Sequence, residues 1–269
     1  MVEVHRHVGE RYVLQPATVQ GYGPASYGDG MADVYDDWYA DVSDVEATVA
    51  LLGALHAGGP DGPVLELAVG TGRLAVPLAA SGIEVHGVDA SDAMLARLAA
   101  RPGGDRVRAT TGDMADDEPP GPFALVFVAY NSLFNLTSAD AQARCVASVA
   151  RRLRPGGRFV VEAFVADPDA ASAGEQVSLR SLTAGGVVLS VSRHDAAGQR
   201  AEGAYVELRD GAPVRVRPWA VRWSTPAELD AWATAAGLVL EHRWADVHRR
   251  PFDDGSPQHV SVYRAPDPT

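Results

Sequence analysis

Lysine is missing from this sequence: all 23 basic residues are arginine. That excludes a lysine Schiff base and the lysine of a phosphate-binding P-loop. Cysteine is nearly missing too. Cys145 stands alone, so neither an intramolecular disulfide nor a cysteine-rich metal site can form from it. It falls in an apolar helical pattern, where a core position is expected rather than a nucleophile. No apolar run reaches the ~18 residues of a membrane-spanning helix. Met1 to Gln15 is mixed and charged and lacks the apolar stretch of a secretory signal. A cytoplasmic setting without a membrane partner is therefore expected. Positive charge is in deficit. The formal net charge of -12 repels phosphate backbones and argues against a nucleic-acid partner. No histidine–histidine or histidine–carboxylate spacing reads as a metal site, so no metal is expected.

What is present is ample apolar material, 46% of 269 residues, enough for a substantial core. Gly21 to Gly30 is rich in glycine and aromatics and is expected to be a loop. Trp38, Val42, Val45, Val49 and Leu52 then recur at helical spacing. From Val64 strand and helix alternate. Strands are expected at Val64–Leu67, Glu84–Val88, Val107–Ala109, Phe123–Val128 and Arg158–Phe164. Helices are expected at Arg73–Ala80, at Asp92–Arg101 after a Ser91 cap, and from Ser138 to about Leu153. Such alternation predicts a parallel sheet covered on both faces. Between Val177 and Trp223 the pattern turns β-rich, and antiparallel strands inserted in or added to the sheet are expected. Pro226–Ala236 returns to helix, closed by Gly237, before two last strands at Leu238–Trp244 and His259–Tyr263.

The most informative segment is Val64 to Ala79, VLELAVGTGRLAVPLA. Gly70 and Gly72 follow a strand and open a helix, where glycine allows tight turns and close ligand approach. Asp89 lies 17 residues beyond Gly72, at the end of the second strand, placed to accept the hydroxyls of a ribose. Gly70, Gly72 and Ala75 also satisfy the dinucleotide pattern G-x-G-x-x-[GA], which keeps a nicotinamide-dependent oxidoreductase open as an alternative. Glu66 argues against it. A carboxylate so near the loop repels a pyrophosphate but suits the ammonium of an amino-acid cofactor.

VLELAVGTGRLAVPLA resembles the first motif of class I S-adenosylmethionine-dependent methyltransferases. Val85–Met94 (VHGVDASDAM), Thr111–Met114 (TGDM), Phe123–Phe134 (FALVFVAYNSLF) and Leu153–Ala163 (LRPGGRFVVEA) resemble the later motifs, in the family's order, over about residues 60 to 165. Val69 stands where many members have cysteine. The resemblance implies a Rossmann-like, doubly wound α/β fold. Its mostly parallel seven-stranded sheet would carry helices on both faces, an N-terminal helical lid and the β-rich antiparallel insertion. The corresponding segments are 1–55 for the lid, 56–168 for the cofactor-binding core, 169–224 for the substrate-side insertion and 225–269 for completion of the sheet. S-adenosylmethionine is the implied cofactor. Glu66, Ala68, Gly70, Thr71, Gly72 and Arg73 would surround its methionine part and Asp89 its ribose. Ala90, Met94, Gly112, Asp113 and Met114 would lie about the adenine. Ala129 and Tyr130 would border it at the fourth strand, with Tyr27 and Tyr35 covering it.

On the acceptor side, Ala32–Tyr39 (ADVYDDWY) resembles the lid of small-molecule methyltransferases, including those that methylate amino-sugar nitrogens. There Tyr39 would face the substrate. Asn131, Phe134, Trp219 and Trp223 are candidate substrate contacts. Arg222, carried just before Trp223, is a candidate at the reacting centre. Asn135 stands where some amino-sugar enzymes carry histidine, which leaves the general base open among His194, His248 and His259. Packing is the alternative role for each. The chain is therefore expected to methylate nitrogen, oxygen or carbon of a small molecule, as a monomer or homodimer. A non-catalytic cofactor-binding partner or sensor is the third reading.

Overall fold

The computed structural model describes residues 21–40, 42–117, 119–167 and 174–267. The first 20 residues of the expected lid, His5 and His7 among them, and the 168/169 boundary lie outside the described residues.

Three helices come first: α1 (Ser26–Met31), α2 (Tyr35–Trp38) and α3 (Val45–Ala57). The alternating core follows: β1 (Val64–Leu67), α4 (Ala75–Ala80), β2 (Val85–Asp89), α5 (Asp92–Ala100), β3 (Val107–Thr111), β4 (Phe123–Val128), α6 (Ala139–Arg152) and β5 (Leu153–Phe164). Four long strands come next: β6 (Glu175–Thr183), β7 (Gly186–Asp195), β8 (Arg200–Arg209) and β9 (Arg215–Arg222). The chain then completes the core with α7 (Pro226–Ala235), β10 (Val239–Trp244) and β11 (Gln258–Arg264).

The main sheet has seven strands in the order β10-β11-β5-β4-β1-β2-β3. The pairs among β1 to β5 are parallel, and β11 runs antiparallel to both β5 and β10. Strand order reverses between β1 and β4, the place where a ligand cleft forms in such sheets. Side-chain alternation feeds two cores. Leu65, Leu67, Val126, Val128 and Phe159 face α6 and α7, with Cys145 buried among them. Val64, Leu125, Phe127 and Val160 face α3 and α4. Each fully buried aliphatic or aromatic side chain contributes roughly 1.5–3 kcal/mol by leaving water.

Several boundaries differ from the sequence reading. The helix expected from Arg73 begins at Ala75, because the glycine loop continues through Leu74 and Pro77 fits the first helical turn. Strands β2 and β3 reach Asp89 and Thr111. The larger correction concerns the insertion. Its strands do not extend the main sheet but pair as a separate antiparallel sheet, β6-β7-β8-β9. α7 returns the chain to the core through a capping box between Thr225 and Glu228, with Pro226 at the first helical position. Among the described residues, no helix is long and apolar enough to cross a membrane.

Candidate active site

The chain after β1 turns through Ala68, at φ 54°, into the glycine loop. Gly72 has φ 76°, and a Cβ there would meet Leu98 and Val76 at 3.0 Å, so the turn requires glycine. The Gly70 N–H donates to Asp89 Oδ2 at 2.8 Å, and the Ser91 N–H donates to Asp89 Oδ1 at 2.9 Å. These bonds fix the carboxylate at the mouth of β2. Burial nonetheless raises the Asp89 pKa above the usual range, against those two bonds.

Glu66 lies beneath the loop, 6% exposed. Burial pushes its pKa well up, opposed by Arg73 and by the Ala75 N–H. Its Oε2 is buried with no hydrogen-bond partner. A buried acceptor left this way costs free energy until a donor reaches it. The N-terminal helices cover the other side. Gly28 of α1 packs so tightly on α5 that a Cβ would lie 2.4 Å from Ser91 Cβ, and Ser91 Oγ donates to Asp29 at 2.6 Å.

One cavity lies between loop, lid and β4. Tyr27, Tyr35, Ala68, Gly70, Asp89 and Ala90 line it on one side. Met94, Gly112, Asp113, Met114 and Asn135 line it on the other. Pro24, Gly28, Val88, Ser132 and Leu136 also line it, though none was among the residues proposed to bind a ligand. Their residue types carry no ligand-binding signal until the fold closes around them.

Other candidates take different positions. Thr71 is 1% exposed, and its hydroxyl donates to Asp36 of the lid at 2.7 Å, not into the cavity. Arg101 also donates to Asp36, at 2.6 Å. Arg73 hydrogen-bonds Ser43 and stands 5.6 Å from the Tyr130 ring centroid. Beyond Ala129, Tyr130 and Asn131 are consecutive left-handed residues, φ 49° and 65°. The Tyr130 N–H donates to Glu162 Oε2 at 3.1 Å, and the Phe164 N–H donates to Asn131 Oδ1 at 2.6 Å. Asn131 thus holds the turn itself. Glu162, missed in the sequence, supports it from β5, and burial raises its pKa. Only its place in the LRPGGRFVVEA segment could have drawn notice to it.

Phe134 is fully buried beside Phe164, with ring centroids 5.0 Å apart, and Trp223 is 6% exposed in the core under α7. Both are corrected from substrate contacts to packing residues. Arg222 is corrected as well. It donates to Gln199 at 2.7 Å, Gln142 at 3.1 Å and Glu228 at 2.5 Å, a buried junction between β9, α6 and α7. Burial alone would raise Glu228. Hydrogen bonds from Gln199, the Thr225 N–H and Arg222 instead bring it down to about 2.

The histidines fall apart from one another. His259 is fully buried in β11, its Nδ1 2.9 Å from Ser261 Oγ. Burial and nearby Arg243 push it down to about 4, against Asp230. It is an interior residue, and the cavity does not include it. His248 is 59% exposed, 3.5 Å from Asp44 at the start of α3. His194, half-buried on β7, lies 3.2 Å from Ser192 Oγ. None of the three lines the cavity.

Beside the cavity the N-terminal helices and the inserted sheet meet in an aromatic cluster. Tyr27 Oη donates to Tyr39 Oη at 2.9 Å, and the Tyr39 ring lies 4.8 Å from Tyr35 and 6.1 Å from Tyr130. Trp38 meets Tyr205 edge-on at 5.6 Å, and Tyr205 lies 6.3 Å from Trp219. Burial raises the phenol pKa of Tyr27, Tyr35, Tyr130 and Tyr205. The lid is tied to the inserted sheet by Arg217, which bonds Asp33 of the lid and Glu207 of β8. The Arg217 bond leads in bringing Asp33 down to about 2, with Arg215 adding to it against burial.

Known proteins share this architecture. Residues 64–157 match the family described as methyltransferase domain. The solved CcbJ methyltransferase from Streptomyces caelestis is 39% identical, with a TM-score of 0.80 over 91% of this chain and 100% of that one. DesVI from Streptomyces venezuelae is 25% identical, with a TM-score of 0.63 over 87% of this chain and 98% of that one. A demethylmenaquinone methyltransferase from Beutenbergia cavernae is 35% identical over 123 residues, 45% of this chain and 47% of that protein. The chain thus spans about half the length of that curated relative.

Proposed function

The chain belongs to the class I S-adenosylmethionine-dependent methyltransferases, and we propose that it methylates a nitrogen, oxygen or carbon atom of a small-molecule acceptor in natural-product biosynthesis. The orphan Oε2 of Glu66 carries the cofactor side of this reading. A ligand ammonium satisfies that oxygen, and the ionised carboxylate is retained by the pairing. Arg73, near Glu66 and Tyr35, suits the carboxylate of the same ligand. Asp89 keeps lone pairs for the ribose hydroxyls. Asp113, with Gly112, Met94 and Met114, suits the adenine. A dinucleotide would set its pyrophosphate against Glu66, which disfavours the nicotinamide alternative.

S-adenosylmethionine supplies an electrophilic methyl group on a sulfonium. The residues of this chain hold the acceptor against it. Tyr39 and Tyr130 would flank the acceptor, Trp219 and Tyr205 would give it a flat wall, and Asn135 would orient it from the end of β4. Alignment and exclusion of water would supply rate at such a site; no histidine among the described residues lines the cavity. The aromatic wall and the acidic surface favour a small acceptor over a nucleic acid. In this reading 1–55 act as lid, 56–168 as cofactor domain, 169–224 as acceptor wall and 225–269 as completion of the sheet. The outer face of the inserted sheet, where Val177, Leu179, Val191 and Val216 are exposed, supports a homodimer.

Calorimetric titration with S-adenosylhomocysteine, with NAD as control, tests the cofactor reading. Micromolar binding of the former alone is expected. A Glu66→Gln variant should bind about tenfold to a hundredfold more weakly, the value of one charge-assisted hydrogen bond. Undiminished binding by that variant would sink the assignment of Glu66.

A further inference from the structure

Arg180 sits on β6 at a bulge between Leu179 and Ser181. Its guanidinium carbon lies 4.9 Å from the Trp38 ring centroid, 5.1 Å from Tyr39 and 4.7 Å from Tyr205. Three rings thus surround one cation, two from the lid and one from β8. The cage adjoins the cavity. Tyr39 bonds Tyr27, which lines it, and packs on Tyr130 at the end of β4.

Other arginines that tie elements of the molecule together are held by carboxylates. Arg217 has Asp33 and Glu207, Arg222 has Glu228, Arg158 has Glu241 and Arg243 has Asp230. Arg180 has no carboxylate within 4.0 Å among the described residues. Its hydrogen bond goes to the Trp38 carbonyl, at 3.4 Å. The chain carries 35 acidic residues against 23 arginines, so carboxylates are not scarce. Contacts with ring π-systems attract a guanidinium without occupying all of its N–H donors. Those donors match the two oxygens of a carboxylate.

We propose that Arg180 is a specificity-determining residue that pairs with a carboxylate on the methyl acceptor, held in place by Trp38, Tyr39 and Tyr205. The inference rests on reading the aromatic cluster as the acceptor site. It narrows the acceptor to a small molecule bearing a carboxylate. Arg73 is engaged beside Glu66 and Glu162, which leaves Arg180 as the cation for the second ligand. The other role open to Arg180 is a staple between lid and sheet, and it has different consequences.

The test uses the full chain saturated with S-adenosylhomocysteine and two isosteric probes, phenylacetate and phenylacetamide. Binding is read by calorimetry and by tryptophan fluorescence, since Trp38 lies against the guanidinium. Phenylacetate should bind at least about tenfold tighter than phenylacetamide, as expected for a charge-assisted pair. Arg180→Met, which keeps the apolar stem, should erase that preference and leave phenylacetamide unchanged. Arg180→Lys should keep part of it. The proposal is overturned if neither probe binds, if the two bind alike, or if Arg180→Met retains the preference. A pure staple would lower the melting temperature of Arg180→Met and weaken both probes equally. S-adenosylhomocysteine affinity, measured on the same samples, reports separately on the cofactor reading. If it fails, the cofactor reading falls. If it holds without a carboxylate preference, only the role of Arg180 falls.

Discussion

At Asn131 one side chain settles the geometry of the turn after β4. Its backbone is left-handed, which asparagine tolerates better than most residues, and its Oδ1 takes the N–H of Phe164. Replacement by alanine adds backbone strain and leaves that N–H without its acceptor. Asn131→Ala should cost about 1–2 kcal/mol, a melting shift of several degrees for a chain this size. Asn131→Gly should cost less, because it relieves the strain. Equal melting temperatures for the two variants would show that the turn is held elsewhere. Glu66 yields a residue-scale prediction in pH. Burial raises its pKa, so in the unliganded protein it takes up a proton at a higher pH than a solvated glutamate. Binding an ammonium requires the ionised form, so S-adenosylhomocysteine affinity should rise with pH through that range. The rise should vanish in Glu66→Gln. A wild-type profile as flat as the variant's would contradict the pairing. The glycine loop and the Asp89 spacing were legible in sequence because backbone conformation dictates residue type there. Asn131 was noticed for its place at the end of β4, but its role as a turn holder was not. Its partner lies 33 residues away on a neighbouring strand.

At the scale of elements, the lid and α7 are each fastened by a carboxylate whose pKa is held at about 2. A carboxylate with a depressed folded-state pKa contributes stability above its unfolded value near 4, and loses it as pH falls towards 2. Asp33 is 40% exposed, so solvent screening limits its share to about 1 kcal/mol or less. Glu228 also caps α7 and should contribute somewhat more, on the order of 1–2 kcal/mol. Unfolding followed from pH 5 to pH 2 should show this loss. Asp33→Asn and Glu228→Gln should each be less stable at pH 5, with a shallower acid dependence. Acid profiles parallel to wild type would remove both fastenings from the account. The helix start at Pro226 was read from the sequence, whereas the Thr225–Glu228 capping box came from the structure. The buried Arg222 junction was not read from the sequence either, because Gln142 and Gln199 gave no local signal there.

For the whole molecule, the separate β6-β7-β8-β9 sheet is the main departure from the expected plan. By register, Tyr205, Arg217 and Trp219 share its inner face, and Val177, Leu179, Val191, Val206 and Val216 share the outer one. Val216 is 61% exposed and Val177 is 69% exposed, more than an isolated sheet face favours. Sedimentation should show a dimer, and Val216→Asp should weaken it at least about tenfold while S-adenosylhomocysteine binding stays unchanged. A monomeric wild type would leave the outer face without the proposed partner.

The sequence alone determined the strand–helix alternation, the glycine loop with Glu66 and Asp89, and the order of the five motifs. Each depends on spacing within a short stretch of successive strand–loop–helix units, so local patterns carry them. Only the tertiary structure decided which side chains meet between the N-terminal helices and the inserted sheet. Arg180 and Trp38 are 142 residues apart, and Arg217 and Asp33 are 184 apart. Such pairs form when the inserted sheet folds over the lid, and no periodicity in the chain announces them. Long-range packing within the main sheet and under α7 likewise took His259 and Trp223 inside. Their residue types suggested a site, but their burial was fixed by the elements packed on them.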